Sequence, residues 1–441
     1  MIEWKQRFIG VLSHSRIHRL TRVVAFVVIC LARLDCAMAQ ESSKAPDSNK
    51  QWPQFLGPDR TGKSTETGLV DGFGENGPRE LWRQPMVGGL SGIAIADGQL
   101  LTLAQSEGNQ WLVALDAETG KLKWRTPLAP AYENAMGDGP RATPTIESGV
   151  AFGYTGEGIL TAVDVANGKV AWSVNLPSEL KCKPSEYGMS CSPLVHQSAV
   201  IAHVGSDAGA VVGVDKKTGK VLWQAGKGAA GYSSPVLMTL AEVKQVVAFV
   251  GNQVIGLEPE KGSVLWSFPF ETEYNCNTAC PVAVNDGVLI SSGENHGSVL
   301  LKVTATNNLW QVAPVWESLG SASSLRSEWQ TPVLLDGCLY GFDNVGSAGP
   351  VAHLACVEAA TGKPLWKKLR FGKGNLIAAD SKLIISTIDG DVVLVKASKE
   401  SYQELGRKTI VGFTRQAPVL CNGKLYMRDE AEIVCLDFVK Q

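Results

Sequence analysis

No apolar run in the sequence is long enough to cross a membrane. The strongest, Val23–Ala32, is ten residues, where a spanning helix needs about 20. No stretch after residue 40 carries a helical hydrophobic period, which excludes a helical bundle and points to an all-β chain. Cys-x-x-Cys-His is absent, so no attached c-type haem is expected. Gly-x-Ser-x-Gly and His-Glu-x-x-His are absent too, which removes the commonest hydrolase constellations. Histidine is scarce: six in all, with His196, His203, His296 and His353 in separate repeats, so no His cluster joins the cysteines in a zinc site. Charge of one sign is also lacking. With 41 basic and 43 acidic residues the net charge is −2, and nothing suggests nucleic acid or an anionic membrane surface as partner. No catalytic group and no metal site is expected, and a monomer suffices.

The first 39 residues read as a signal peptide. Lys5, Arg7, Arg16, Arg19 and Arg22 lead into the apolar run, and Ala37-Met38-Ala39 fits a cleavage site that would leave Gln40 first. This segment carries six basic and two acidic residues, so the mature chain moves from −2 to −6. Cys36 raises acylation as an alternative, although Arg33, Leu34 and Asp35 before it are not the small apolar residues a lipobox uses. Residues 40–79 are expected to form an extension, polar and mobile at its start.

What the sequence has in abundance is a repeat. Trp82, Trp124, Trp172, Trp223, Trp266, Trp316 and Trp366 are spaced by 42 to 51 residues. Five of them end one pattern: ALDAETGKLKW from Ala114, AVDVANGKVAW from Ala162, GVDKKTGKVLW from Gly213, GLEPEKGSVLW from Gly256 and CVEAATGKPLW from Cys356. Two alternating strands flank a turn rich in Gly, Asn and Thr, the residues of a tight hairpin. Before each lies another hairpin, as in TPTIESGVAFGY from Thr143 and TPVLLDGCLYGF from Thr331. Two hairpins per period make a four-stranded meander, one blade of a β-propeller.

Inner strands are expected to begin near Ile93, Pro144, Pro193, Pro235, Pro281, Pro332, Leu376 and Pro418, which makes eight blades over residues 80–441. The last blade stops after three strands. GPRELWRQP, around Trp82, has the outermost-strand pattern without partners of its own, so it should complete that blade and close the ring, hiding both edges. Seven blades with a stray hairpin is the competing count.

The AxDxxTGKxxW pattern resembles the signature of PQQ-repeat (pyrroloquinoline-quinone-like) propellers. The ring it implies is similar to that of quinoprotein dehydrogenases and of the BamB-like propeller of outer-membrane assembly. WPQFLGPDRTG at Trp52–Gly62 resembles the leader of exported bacterial members. The resemblance implies that the repeated Trp and Gly dock adjacent blades rather than bind the quinone, so fold is specified and activity is not. It also supplies a rival reading, a PQQ- and calcium-dependent alcohol dehydrogenase. Such enzymes commonly carry adjacent cysteines in a vicinal disulfide, and this sequence has no Cys-Cys pair.

Eight cysteines follow residue 39. In an exported chain Cys182–Cys191 is a candidate disulfide, and Cys276–Cys280 a weaker one. Cys356 and Cys435 replace a small residue of the repeat, and Cys338 and Cys421 sit on or beside inner hairpins; all four read as buried apolar groups.

The connections between blades cross one face and drop into the channel mouth. Three residues before each inner strand, this geometry gathers Leu90, Arg141, Ser190, Tyr232, Thr278, Trp329, Lys373 and Arg415, with Tyr187, Tyr274, Asn275 and Glu328 beside them. Arg141, Lys373 and Arg415 fall on one arc. Aromatic and basic side chains at a concave mouth suit a partner protein or a small anionic or polar ligand. The bland alternative pairs Arg141 and Arg415 with acids such as Asp138 or Glu328. Function is thus read as an exported, non-catalytic interaction or ligand-binding scaffold, with the quinoprotein enzyme and a BamB-like assembly scaffold as alternatives.

Overall fold

The computed structural model describes residues 51–440 apart from Ser347, Ala348 and Pro350. The signal-peptide reading, the Ala39 cleavage site and Cys36 lie outside the described residues.

Eight antiparallel sheets of four strands follow one another along the chain. Blade 1 runs Ile93–Ala96, Gln99–Ser106, Asn109–Asp116 and Leu122–Pro130. Blades 2 to 7 repeat that meander, with inner strands at Thr145–Glu147, Leu194–His196, Val236–Leu240, Val282–Val284, Val333–Leu335 and Gly374–Ala379. In blade 8 the strands Val419–Cys421, Lys424–Arg428 and Glu432–Asp437 are joined by Glu80–Pro85, with Trp82 opposite Cys435. The ring therefore has eight blades and closes with strands from both ends, as the unpartnered Trp82 strand required. Among the described residues the one α-helix is a single turn, Leu176–Glu179, capped by the Asn175 side chain.

The repeat explains how the blades dock. The glycine of the third turn adopts a left-handed φ, and the Trp of the preceding blade lies against it. At Gly262 (φ 69°) a Cβ would sit 2.4 Å from the Trp223 ring, and at Gly120 (φ 71°) 2.7 Å from Trp82. No other residue tolerates both the φ and the approach. The indole then donates to the neighbouring blade: Trp124 Nε1 to Val165 O at 2.9 Å, Trp172 Nε1 to Lys216 O at 2.9 Å, Trp316 Nε1 to Ala359 O at 3.0 Å. Trp82, closing the ring, reaches Ala117 O in blade 1 at 3.2 Å. Two depart from the rule: Trp266 donates to Gln245 Oε1 of its own blade at 2.7 Å, and Trp223 Nε1 has no partner.

Blade 7 has no such Trp. Gly406 stands opposite Leu394, where Trp124 stands opposite Ala114 in blade 1. Phe73, from the N-terminal extension, covers this glycine; a Cβ there would meet its ring at 2.8 Å. The extension thus supplies the aromatic group that the outer strand lacks.

The same extension crosses the central channel. Trp52 exchanges backbone hydrogen bonds with Ile95 of blade 1 at 2.9 and 2.7 Å, and Pro53 O accepts from Ile146 N of blade 2 at 2.8 Å. Further on, Gly62 O accepts from Ala378 N of blade 7 and Val70 N donates to Phe438 O beyond blade 8. Arg60 lies between, only 3% exposed. Its guanidinium donates to Ser192 O at 3.0 Å, to Pro235 O at 2.9 Å and to Pro193 O, and its Nε to Gln54 Oε1 at 2.8 Å. The proline carbonyls at the entries to blades 3 and 4 thus serve as its acceptors. No carboxylate accompanies it, and burial lowers its pKa to about 10, which still leaves a cation. From residue 51 the extension and the ring form one compact unit, so most of the segment read as an extension is built into the ring.

Candidate functional site

The plug divides the channel and turns its mouth into a funnel. Trp52, Phe55 and Leu56 form the floor, and the connections entering the blades form the wall, around a cavity of about 550 Å3. That is in the usual range for small-molecule sites. Arg141, Tyr187, Tyr232, Tyr274, Trp329 and Arg415 all line it, with Leu90, Ser190, Thr278 and Glu328. Lys373 stands behind Trp329, its Nζ 4.4 Å from the ring centre.

The basic arc is not uniform. Lys373 is paired with Glu328 at 2.7 Å. Arg141 and Arg415 have no carboxylate within ion-pair distance among the described residues; Asp138 instead accepts from Asn134 N. Arg141 lies over Tyr132 (4.9 Å) and donates to Gly137 O at 2.6 Å and to Gly139 O. Burial, partly offset by Tyr132 and Asp138 and reinforced by Arg415, lowers its pKa. Arg415 lies over Trp329 at 4.9 Å and Phe413 at 5.5 Å, and its Nη1 reaches Met136 O at 2.7 Å. Its Nε is buried with no hydrogen-bond partner.

The rest of the wall is aromatic and acidic. Tyr187 and Tyr232 stack at 5.8 Å with an interplanar angle of 29°, and the Tyr232 hydroxyl accepts from Tyr187 N at 3.3 Å. Tyr274, 61% exposed at the rim, adopts a φ of 57°. A bulky residue in the left-handed region is strained by roughly 1–3 kcal/mol, and such strain clusters at functional loops. Beside them Glu294 has a carboxylate oxygen, Oε2, that is buried and unpartnered. Burial, then the charge of Glu328, raise its pKa, while His296 opposes. Thr278 Oγ1, also on the wall, is likewise buried without a partner.

Glu294 and the floor residues were not legible as site residues. Glu294 sits on a hairpin inside blade 5 rather than on a connection, and Trp52, Phe55 and Leu56 belong to a segment read as an extension. The WPQFLGP run was their one visible signal.

The disulfide expectations require correction. Among the described residues no cysteine is in a disulfide. Cys182 Sγ is directed to Val204 O at 3.9 Å, whereas Cys191 is buried, contacts Ser192 O at 3.7 Å and accepts from His203 N at 3.3 Å. Burial pushes the Cys191 thiol up to about 12. Cys276 and Cys280 likewise diverge, to Tyr274 O and to the Ser234 N–H. Burial takes the His203 pKa down to about 3, opposed by a backbone contact at Ala230.

The residues present do not fit calcium and quinone. Among the described residues no three His, Cys, Asp or Glu groups converge on a point that could hold a metal ion. The nearest carboxylates, Glu328 and Glu294, are respectively tied to Lys373 and shifted toward the neutral form. No redox step is derived through that pair.

Eight four-stranded blades, docked by Trp on Gly around a channel with a plugged mouth, define a PQQ-repeat propeller. The chain belongs to the family described as outer membrane protein assembly factor BamB, whose profile matches residues 66–226 and 133–341. The BamB of Yersinia pestis is 22% identical over 276 residues, covering 62% of this chain and 67% of that protein. The crystal structure of BamB from Moraxella catarrhalis superposes with a TM-score of 0.60 at 16% identity, covering 82% of this chain and 100% of that one. The quinohemoprotein alcohol dehydrogenase of Comamonas testosteroni gives 0.64 at 13% identity, covering 89% and 81%. At such identities the superpositions show the fold alone.

Proposed function

We propose that this protein is an exported, non-catalytic propeller that acts as a single ring and holds a protein partner or a small polar ligand in its funnel. The observation that carries the reading is the pair Arg141 and Arg415, two cations beside each other at the mouth with no carboxylate partner. Like charges held close in a half-buried site are unfavourable unless something neutralises them. Their contacts to loop carbonyls and aromatic rings hold both in place but leave the two charges unneutralised. Family membership supports a scaffold role, since its relatives are named as assembly factors.

Two measurements test the reading. The purified chain should show no visible cofactor band, and after incubation with PQQ and calcium it should not reduce a redox dye with alcohols. Turnover under those conditions would make it a quinoprotein enzyme. Mass spectrometry of the mature protein should find Gln40 as the first residue. An acylated Cys36 would instead make it a membrane-anchored scaffold, and an unprocessed Met1 would exclude export by this signal.

A further inference from the structure

The funnel has two poles. Arg415 and Arg141 enter from the connections into blades 8 and 2, while Glu294 projects from blade 5 and Glu328 from the connection into blade 6. Arg141 and Glu294 thus enter one cavity from opposite sides of a ring of eight, and Arg415 reaches across the mouth to lie over Trp329 at 4.9 Å and to donate to Met136 O at 2.7 Å. Glu328 is already neutralised by Lys373 at 2.7 Å. Arg141, Arg415 and Glu294 form no ion pair among the described residues. Arg415 Nε and Glu294 Oε2 are buried polar atoms without partners, which is unfavourable for either group in the free protein.

This arrangement discriminates between ligands. A purely anionic ligand satisfies the arginines but brings a like charge toward Glu294. A purely cationic one satisfies Glu294, with the Tyr faces beside it, but approaches two arginines. A ligand with both charges meets both walls.

We propose, building on the scaffold reading above, that the funnel takes a zwitterion with an apolar or aromatic body, such as a short peptide with free ends. Its carboxylate lies against Arg415 and Arg141, its ammonium against Glu294 and the stacked Tyr187 and Tyr232, and its body on Trp329. The carboxylate accepts from the Arg415 guanidinium and the ammonium donates to the Glu294 carboxylate, the parts of the two residues that line the cavity. Trp52, Phe55 and Leu56 close the floor, so the ligand enters from the mouth face alone.

Equilibrium dialysis of the full chain against the tripeptide Ala-Tyr-Ala tests this. Three forms are compared: free-ended, N-acetylated and C-amidated. Each cap is expected to weaken binding about ten- to a hundredfold, the range one charge-assisted contact supplies. Glu294→Gln should weaken the free peptide similarly and leave the acetylated one unchanged, because the contact is already gone. Arg415→Gln should show the mirror pattern with the amidated peptide. If the acetylated peptide binds as well as the free one while Arg415→Gln still abolishes binding, the ligand is an anion. The zwitterion proposal then falls and the scaffold reading stands. If the free peptide binds but neither variant nor cap changes its affinity, the funnel is not the site and both fall. If no free-ended form binds at millimolar concentration, the zwitterion proposal is overturned.

Discussion

A chain lacking residues 51–85 should fail to give a soluble, monomeric propeller. That deletion removes the strand Glu80–Pro85, which is hydrogen-bonded to Glu432–Asp437, and leaves blade 8 with three strands and a bare edge. Exposed edges pair with other chains. The deletion also removes Trp82, which docks blade 8 on blade 1 through Gly120 and Ala117 O. Phe73 is lost from Gly406, and Arg60 from the carbonyls of Ser192, Pro193 and Pro235. Size-exclusion chromatography and thermal melting check the outcome. A truncated chain that is monomeric and melts with the full mature protein would contradict both ring closure and the structural role of the plug.

Trp223→Ala should lower stability by about 3–5 kcal/mol, as expected for truncating a buried aromatic side chain. The Trp223 ring is 8% exposed, sits on Gly262 of blade 4, and belongs to the core shared by blades 3 and 4. Its indole nitrogen has no hydrogen-bond partner, so the loss is one of packing, and Trp223→Phe should recover much of it. Denaturant unfolding measures the change. A Trp223→Ala protein with wild-type stability but impaired ligand binding would mean that a site had been mistaken for a docking residue.

The blade count, the ring closure and the docking role of Trp were open to reading because the repeat prints the same physical demand many times. A left-handed glycine followed by Trp at fixed spacing has few alternative uses. The inner-strand prolines were placed one residue early, since Pro193 and Pro235 precede their strands and turn their carbonyls to Arg60. The plug was not legible. WPQFLGPDRTG occurs once, so no period marks it, and its role depends on carbonyls more than 100 residues away. Phe73 escaped for a similar reason: its partner, Gly406, reads as an ordinary strand glycine until the missing Trp of blade 7 is noticed. The two disulfide expectations failed because sequence proximity says nothing of thiol direction, whereas Cys338, Cys356, Cys421 and Cys435 are buried as expected. Cys191 is buried among Phe152, Val200 and their neighbours, and Cys182 packs only at the margin of that cluster.

Blade geometry brings Arg141, Tyr187, Tyr232, Tyr274, Trp329 and Arg415 to one cavity and leaves Lys373 behind Trp329. Lys373, rather than Arg141 or Arg415, takes Glu328. The two arginines therefore bear on the central claim, that the funnel is kept for a ligand rather than for stability. The most direct test is the melting temperature of Arg415→Gln, with and without millimolar free-ended Ala-Tyr-Ala. The account predicts that the unliganded variant melts with the wild type or slightly above it, because a like-charge contact with Arg141 and a buried unpartnered Nε are relieved. The tripeptide should raise the melting temperature of the wild type and not of the variant, by an amount that shrinks with added salt. An Arg415→Gln protein that melts many degrees lower, with the tripeptide acting equally on both, would show that the arginine is structural and would contradict the account.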